Sequence, residues 1–337
     1  MSAAGAAGAA APVRFTVTPE RRQAKRKAAW RRRRLVLLLM SPWLIGFAIF
    51  FGYPLVANVY FSFTHYDLLS SPRWIGFANY KYLFNGDANI WPAVKNTLWM
   101  LAFAVPLQVL FAFGVALMVT RARRGVGFFR TVFYLPALAP PVAATLGFVY
   151  LLNPAYGPVN SVLGKLGING PLWFQDPSWS KPSLVLLGLW GIGNTMVIFI
   201  AALLDVPRHL YESAELDGAG PLRRLIYVTL PTISPVILFA VVIGVIEGLQ
   251  YFTQGYVASV TAAPGGTGYG DTTGNNIGYP QNSTLFYPVW LYQQGFSYFN
   301  MGYAAAMSVL LLAVALVVTV LILRNSRRWV HYSGAPR

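Results

Sequence analysis

"YESAELDGAG", residues 211–220, places three acids, Glu212, Glu215 and Asp217, within seven positions of a chain in which only 11% of residues are charged. On either side run apolar stretches, roughly Ser183–Leu204 and Leu225–Ile246, each about the 20 residues that cross a bilayer as a helix. Inside hydrocarbon every backbone amide must find its partner within the segment, so both stretches read as helices and the polar segment as the loop between them. Asp205 can cap a helix whose first turn carries Pro207. That helix runs through Tyr211, Glu212 and Glu215, and Gly218 ends it because glycine accepts the left-handed cap. Pro221 starts a second short helix leading into the next span. An amphipathic surface helix that only links two spans has the same appearance, so this segment alone leaves its role open.

The rest of the chain has the same membrane character. Of 337 residues, 56% are hydrophobic, whereas soluble domains carry about 25% charged residues. There is no cysteine, which excludes disulfides and thiol chemistry. Six stretches qualify as spans: roughly Leu35–Phe61, Thr97–Thr120, Thr131–Leu152, Ser183–Leu204, Leu225–Ile246 and Met301–Leu323. Pro54, Pro106, Pro136, Pro140, Pro141, Pro231 and Pro235 fall in or near them and predict kinks in a packed bundle. The reading is an all-α membrane protein of six transmembrane helices. Residues 1–34 read as a disordered basic tail, 35–325 as the membrane domain and 326–337 as a second tail.

The net charge of +16 invites a nucleic-acid reading, but its distribution argues against one. Of the 26 lysines and arginines, only Arg73, Lys81, Lys95, Lys165 and Lys181 lie on one side of the six spans; all others lie in the two tails and the two loops on the opposite side. The positive-inside rule places that arginine-rich side, with both termini, in the cytoplasm of a multi-pass protein of a prokaryotic cell membrane. The arginines then serve topology and contact with anionic lipids, with no nucleic acid as partner. No phosphate loop of the form G-x-x-x-x-G-K-[ST] occurs. The histidines, His65, His209 and His331, are scattered, so neither a metal site nor a Ser/His/Asp set can be assembled.

Glu212-Ser213-Ala214, three residues, Gly218, nine residues, then Val228-Thr229-Leu230-Pro231 resembles the E-A-A loop of permease subunits of binding-protein-dependent ABC importers, with Ser213 and Val228 as mild departures. "SPWLIGFAIFFGYPLVANVYFSF" (41–63), "FFRTVFYLPALAPPVAA" (128–144), "GPVNSVLGKLG" (157–167), "WGIGNTMVIFIAALLDVPRHLYESAELDGAG" (190–220) and "LYQQGFSYFNMGYAAAMSVLL" (291–311) resemble the sugar-type members, in particular the first permease of maltose- and glycerol-phosphate-type pairs. The segment 260–284 departs from the family, being longer and glycine-rich. The resemblance implies an importer permease whose loop 205–231 holds a cytoplasmic coupling helix, docked on an ATPase dimer. Tyr211, Glu212, Ser213, Ala214, Asp217, Gly218, Leu230 and Pro231 would carry that coupling. It further implies a second permease in a heterodimer, an external solute-binding protein and a sugar or oligosaccharide cargo. ATP and Mg would sit on the partner ATPase, leaving this chain with no cofactor and no catalytic residue.

A polar residue at membrane depth is costly and is often functional. Glu247, Gln250, Tyr251 and Gln254 follow i, i+3, i+4, i+7 spacing, one face of a continuing helix. With Phe252, and with Trp190 and Asn194 from the fourth span, they form a candidate sugar pathway of hydrogen-bonding groups and aromatic faces. The competing reading is that they bond across helices as packing contacts. Two other classes stay open: a stand-alone secondary transporter, and a membrane-embedded glycosyl-transfer enzyme. The enzyme would need carboxylates near the outer interface, where Asp67, Asp87, Asp176 and Asp271 are the acids on offer.

Overall fold

A computed structural model describes residues 19–122, 124–264, 276–326, 328 and 330, with side chains from Trp30 onward. The chain divides into two compact units, residues 1–57 and 58–337. The first holds α1 (Pro19–Phe47), a π turn (Ala48–Gly52) and the start of α2 (Tyr53–Ser62). Trp30–Ser62 is a helical run of 33 residues, apolar enough to cross a bilayer. One expectation is corrected here. Residues 19–34, read as a disordered tail, are helical, because Ala, Arg, Lys and Gln are all strong helix formers. Residues 1–18 lie outside the described part.

In the second unit the end of α2 is followed by a short antiparallel pair, β1 (Thr64–His65) and β2 (Arg73–Trp74), with Thr64 opposite Trp74 and His65 opposite Arg73. Helices follow in order: α3 (Ala78–Asn85), α4 (Ile90–Arg121), α5 (Val126–Tyr134), α6 (Pro141–Leu151), α7 (Pro158–Lys165), α8 (Pro177–Trp190), α9 (Gly193–Leu204), α10 (Arg208–Leu216), α11 (Pro221–Arg224), α12 (Leu230–Leu249), α13 (Thr253–Ala262), α14 (Tyr287–Tyr292) and α15 (Met301–Ser326). Among the described residues four helical runs are long and apolar enough to span a membrane: Trp30–Ser62, Ile90–Arg121, Pro221–Leu249 and Met301–Ser326. Two bent helix pairs, Val126–Leu138 with α6 at 100° and α8 with α9 at 49°, bring the number to six if each pair is one span.

Prolines account for part of this bending. The 100° bend falls in "LPALAPP", where Pro136, Pro140 and Pro141 remove donors in quick succession. The 49° bend falls instead at Gly191, in "WGIG", while Pro106 and Pro235 sit inside uninterrupted helices. Pro54 and Pro231 each follow a π turn closely, Ala48–Gly52 and Leu225–Thr229. A π turn is one residue wider than an α turn, which relieves the clash between a proline ring and the carbonyl four residues back.

Helix α4 is the spine of this unit. Its first half joins α8, α14 and α15 in a buried cluster around Leu184, Phe286, Val289 and Met307. Its second half joins α9 and α12 in another, around Met196, Phe199 and Ile233. Ala93, Ala104, Ala112 and Ala116 are almost wholly buried along it. Between lipid-embedded helices the drive to exclude water is absent, and small residues stabilise contact by letting backbones approach. Accordingly, only 33% of the most apolar window of α4 is buried; the rest of that hydrophobic surface suits acyl chains.

Candidate functional site

Helix α12 stops at Leu249, and the chain turns through Gln250, Tyr251 and Phe252 before α13 begins at Thr253. The amide of Gln250 closes onto the carbonyls of Ile246 (3.2 Å) and Glu247 (3.1 Å), and that of Tyr251 onto Gly248 (3.4 Å). The expected single helical face over 247–254 is therefore corrected. The helix breaks inside the set, because Gly248 and the aromatic pair do not hold a helix once Tyr251 turns inward against Phe286, ring centroids 5.3 Å apart. The outcome for the side chains is convergence. Trp190, Asn194, Glu247, Gln250, Tyr251, Phe252 and Gln254 all line one cavity of about 470 Å³, within the 300–1,000 Å³ range of small-molecule sites.

The elements around the break hold this wall in place. Trp190 ends α8 at the 49° bend and leans on Phe148, centroids 5.5 Å apart. Asn194 begins α9 just beyond that bend. Phe252 stacks on Tyr256 (5.5 Å) and tilts against Tyr292 (5.0 Å). The sequence reading missed Gln108, which reaches the cavity from α4. Its amide occupies the space a Cβ on Gly188 would need, so glycine at 188 gives Gln108 its path. The available signal was a lone amide in the middle of an apolar span.

These groups do not pair with one another. The side chains of Gln108, Asn194, Glu247, Gln250 and Gln254 make no hydrogen bond to another described residue. The lining holds one carboxylate, Glu247, and no cationic side chain. No group of metal-binding side chains occurs among the described residues.

The polar segment is built in the opposite manner. Helix α10 ends at Leu216, and Gly218 takes the left-handed conformation at φ +72°. The amide of Gly218 donates to the Glu215 carbonyl (3.0 Å) and that of Ala219 to the Ala214 carbonyl (2.9 Å), which together satisfy the helix end. The hydroxyls of Tyr211 and Thr229 share a hydrogen bond of 2.8 Å, and Glu215 pairs with Arg224 at 3.3 Å. Tyr211 thus ties α10 to the π turn below Leu230 and Pro231. Glu212, Ser213, Asp217 and Gly218 face outward, with Ala214 half-buried. Leu216, 91% exposed, was not singled out by sequence; an isolated leucine in a polar run was its signal. The Asp205 expectation is corrected: Asp205 ends α9, and Pro207 stands at the start of α10 with no side-chain cap. Val206, buried against the α4–α9 cluster, fixes that turn.

The acids on the other face are structural. Asp87 accepts from the Trp290 indole (2.7 Å) and the Tyr303 hydroxyl (2.6 Å). Asp176 caps α8 through the Ser178 amide. Asp67 accepts from the hydroxyl and amide of Ser70 and the amide of Leu69, which hold its carboxyl below the usual carboxylate range. Asp271 lies outside the described residues.

Residues 108–331 match the family described as "Binding-protein-dependent transport system inner membrane component". The chain is 35% identical over 296 residues to the probable ABC transporter permease protein YesP of Bacillus subtilis, covering 88% of this chain and 91% of that one. It is 31% identical over 322 residues to the sulfoquinovosyl glycerol transport system permease protein SmoG of Agrobacterium fabrum, covering 94% and 99%. Its fold resembles a chain of a bacterial alginate ABC transporter crystallised with an alginate pentasaccharide-bound periplasmic protein, at a TM-score of 0.74, 24% identity and coverage of 88% and 96%. The chain belongs to this family: it is a multi-pass permease subunit of a binding-protein-dependent ABC importer.

Proposed function

We propose that this permease passes a sugar or oligosaccharide through the cavity at the α12–α13 break. The observation that carries the reading is the cavity wall, where five hydrogen-bonding side chains without a hydrogen-bond partner among the described residues stand beside Trp190, Tyr251 and Phe252. Sugar hydroxyls need such donors and acceptors, and sugar C–H faces need aromatic rings. The names of relatives in glycoside and polysaccharide transport support it. The arginine-rich side, with α10, faces the cytoplasm. There Glu212, Ser213, Asp217 and Leu216 would meet an ATPase dimer, which supplies ATP hydrolysis and Mg. Tyr211, Gly218, Leu230 and Pro231 would pass the movement to the fifth span as a rigid junction. A second permease completes the pathway, and an external binding protein delivers the cargo.

The test is uptake of labelled oligosaccharides by cells carrying the intact importer, for wild type and for Asn194→Ala/Gln254→Ala. Loss of uptake with normal membrane abundance and ATPase association supports the cavity. Unchanged uptake across an oligosaccharide panel sinks it.

A further inference from the structure

A second cavity, of about 450 Å³, opens at the arginine-rich ends of three spans. Leu117 near the end of α4, Leu203 at the end of α9 and Leu225 in the π turn before α12 give it apolar walls, and Tyr211 of α10 closes one side. Because two helical runs long enough to cross a membrane, Ile90–Arg121 and Pro221–Leu249, and the bent pair α8–α9 begin or end around it, it lies where acyl chains give way to headgroups. Arg121 and Arg224 stand on its lining. Arg224 directs part of its guanidinium to Glu215 at 3.3 Å. Arg121, the last residue of α4, is exposed and has no acidic partner among the described residues. Each guanidinium carries five donors, so one carboxylate leaves most of them available.

We infer that this cavity binds an anionic phospholipid, with its phosphate held between Arg121 and Arg224 and an acyl chain along the leucine wall. Basic pockets between spans at the cytoplasmic surface suit lipid phosphates, and guanidinium matches phosphate geometry with paired hydrogen bonds. A free phosphate ion would leave the leucine walls uncovered, so the occupant is a lipid rather than the bare ion. Since Tyr211 belongs both to this cavity and to α10, occupancy bears directly on the segment that meets the ATPase.

The experiment is native mass spectrometry of the full chain in detergent, offered phosphatidylglycerol and phosphatidylcholine with matched acyl chains. Wild type is expected to retain the anionic lipid in preference by roughly 10–30-fold, the scale of two arginines near a membrane surface. Arg121→Ala/Arg224→Ala should lose that preference. Arg121→Lys/Arg224→Lys should keep much of it, and Glu215→Gln, which breaks the same ion pair without removing a cation, should keep all of it. Arg31→Ala/Arg32→Ala, in the basic tail, should lower the preference by no more than a few-fold, well short of the cavity variant. Equal retention of both lipids by wild type, or an undiminished preference in the double alanine variant with the chain monodisperse, overturns the inference. So does displacement of the lipid by inorganic phosphate at equal occupancy.

Discussion

At one end of the helical run Pro221–Leu249, the groups that meet α10 are committed to one another: Tyr211 to Thr229, Glu215 to Arg224, and the amides of Gly218 and Ala219 to the last turn of α10. At the other end, Glu247, Gln250 and Gln254 face a cavity without a hydrogen-bond partner among the described residues. On the proposed function, the same span is a satisfied joint at one end and an unsatisfied wall at the other. A joint that transmits displacement needs every contact closed, since a loose contact absorbs motion. A wall that handles a cargo needs groups left open, since a buried polar atom already paired has little to offer a ligand.

Substitutions can break this contrast, and the largest effect is expected at the joint. Gly218→Val forces a β-branched residue into the left-handed region, at a cost of about 1–2 kcal/mol. Uptake should fall more than tenfold with the chain still in the membrane, while Gly218→Asn, which tolerates that conformation, should keep most of it. Normal uptake by the valine variant would show that the cap is not part of the joint. Next, Glu247→Ala in the wall should lower uptake by roughly tenfold, the equivalent of about 1.4 kcal/mol. Its detergent melting should shift by less than about 0.5 kcal/mol, because no internal hydrogen bond is lost. A large melting shift instead would mean that the wall is structural after all. Tyr211→Phe removes one half-buried hydrogen bond and should destabilise the folded chain by about 1 kcal/mol, read by thermal unfolding. Smallest is Glu215→Gln. With Glu215 side-chain exposure at 68%, the change should stay within about 0.5 kcal/mol and vanish in high salt.

The sequence made some of these features legible and hid others, for physical reasons. Spans, the arginine-rich side and the turn at Gly218 follow from length, charge and backbone chemistry, which act locally. All seven residues chosen for the pathway line one cavity, because a polar group at membrane depth is conspicuous wherever it sits. The break after Leu249 was hidden: Glu247, Gln250 and Gln254 keep helical spacing, and the turn depends on Tyr251 packing against Phe286, a contact distant in sequence. The bend at Gly191 was hidden by the attention that proline attracts, whereas Gln108 was legible as a lone amide in an apolar span and was passed over. Asp205 had the chemistry of an N-cap, but burial of Val206 gave the turn a different geometry.

The π turn at Leu225–Thr229 has a consequence at the far end of its helix. Successive α-helical residues are spaced about 100° around the axis, so one additional residue within a turn resets the azimuth of everything that follows. Glu247 lies some five turns beyond, yet its bearing on the cavity is fixed there. Removing a single residue from 225–229 would leave the composition of the span almost untouched. It would swing Glu247 toward a neighbouring helix or the lipid, much as one tooth skipped on a gear mistimes a shaft that is otherwise intact.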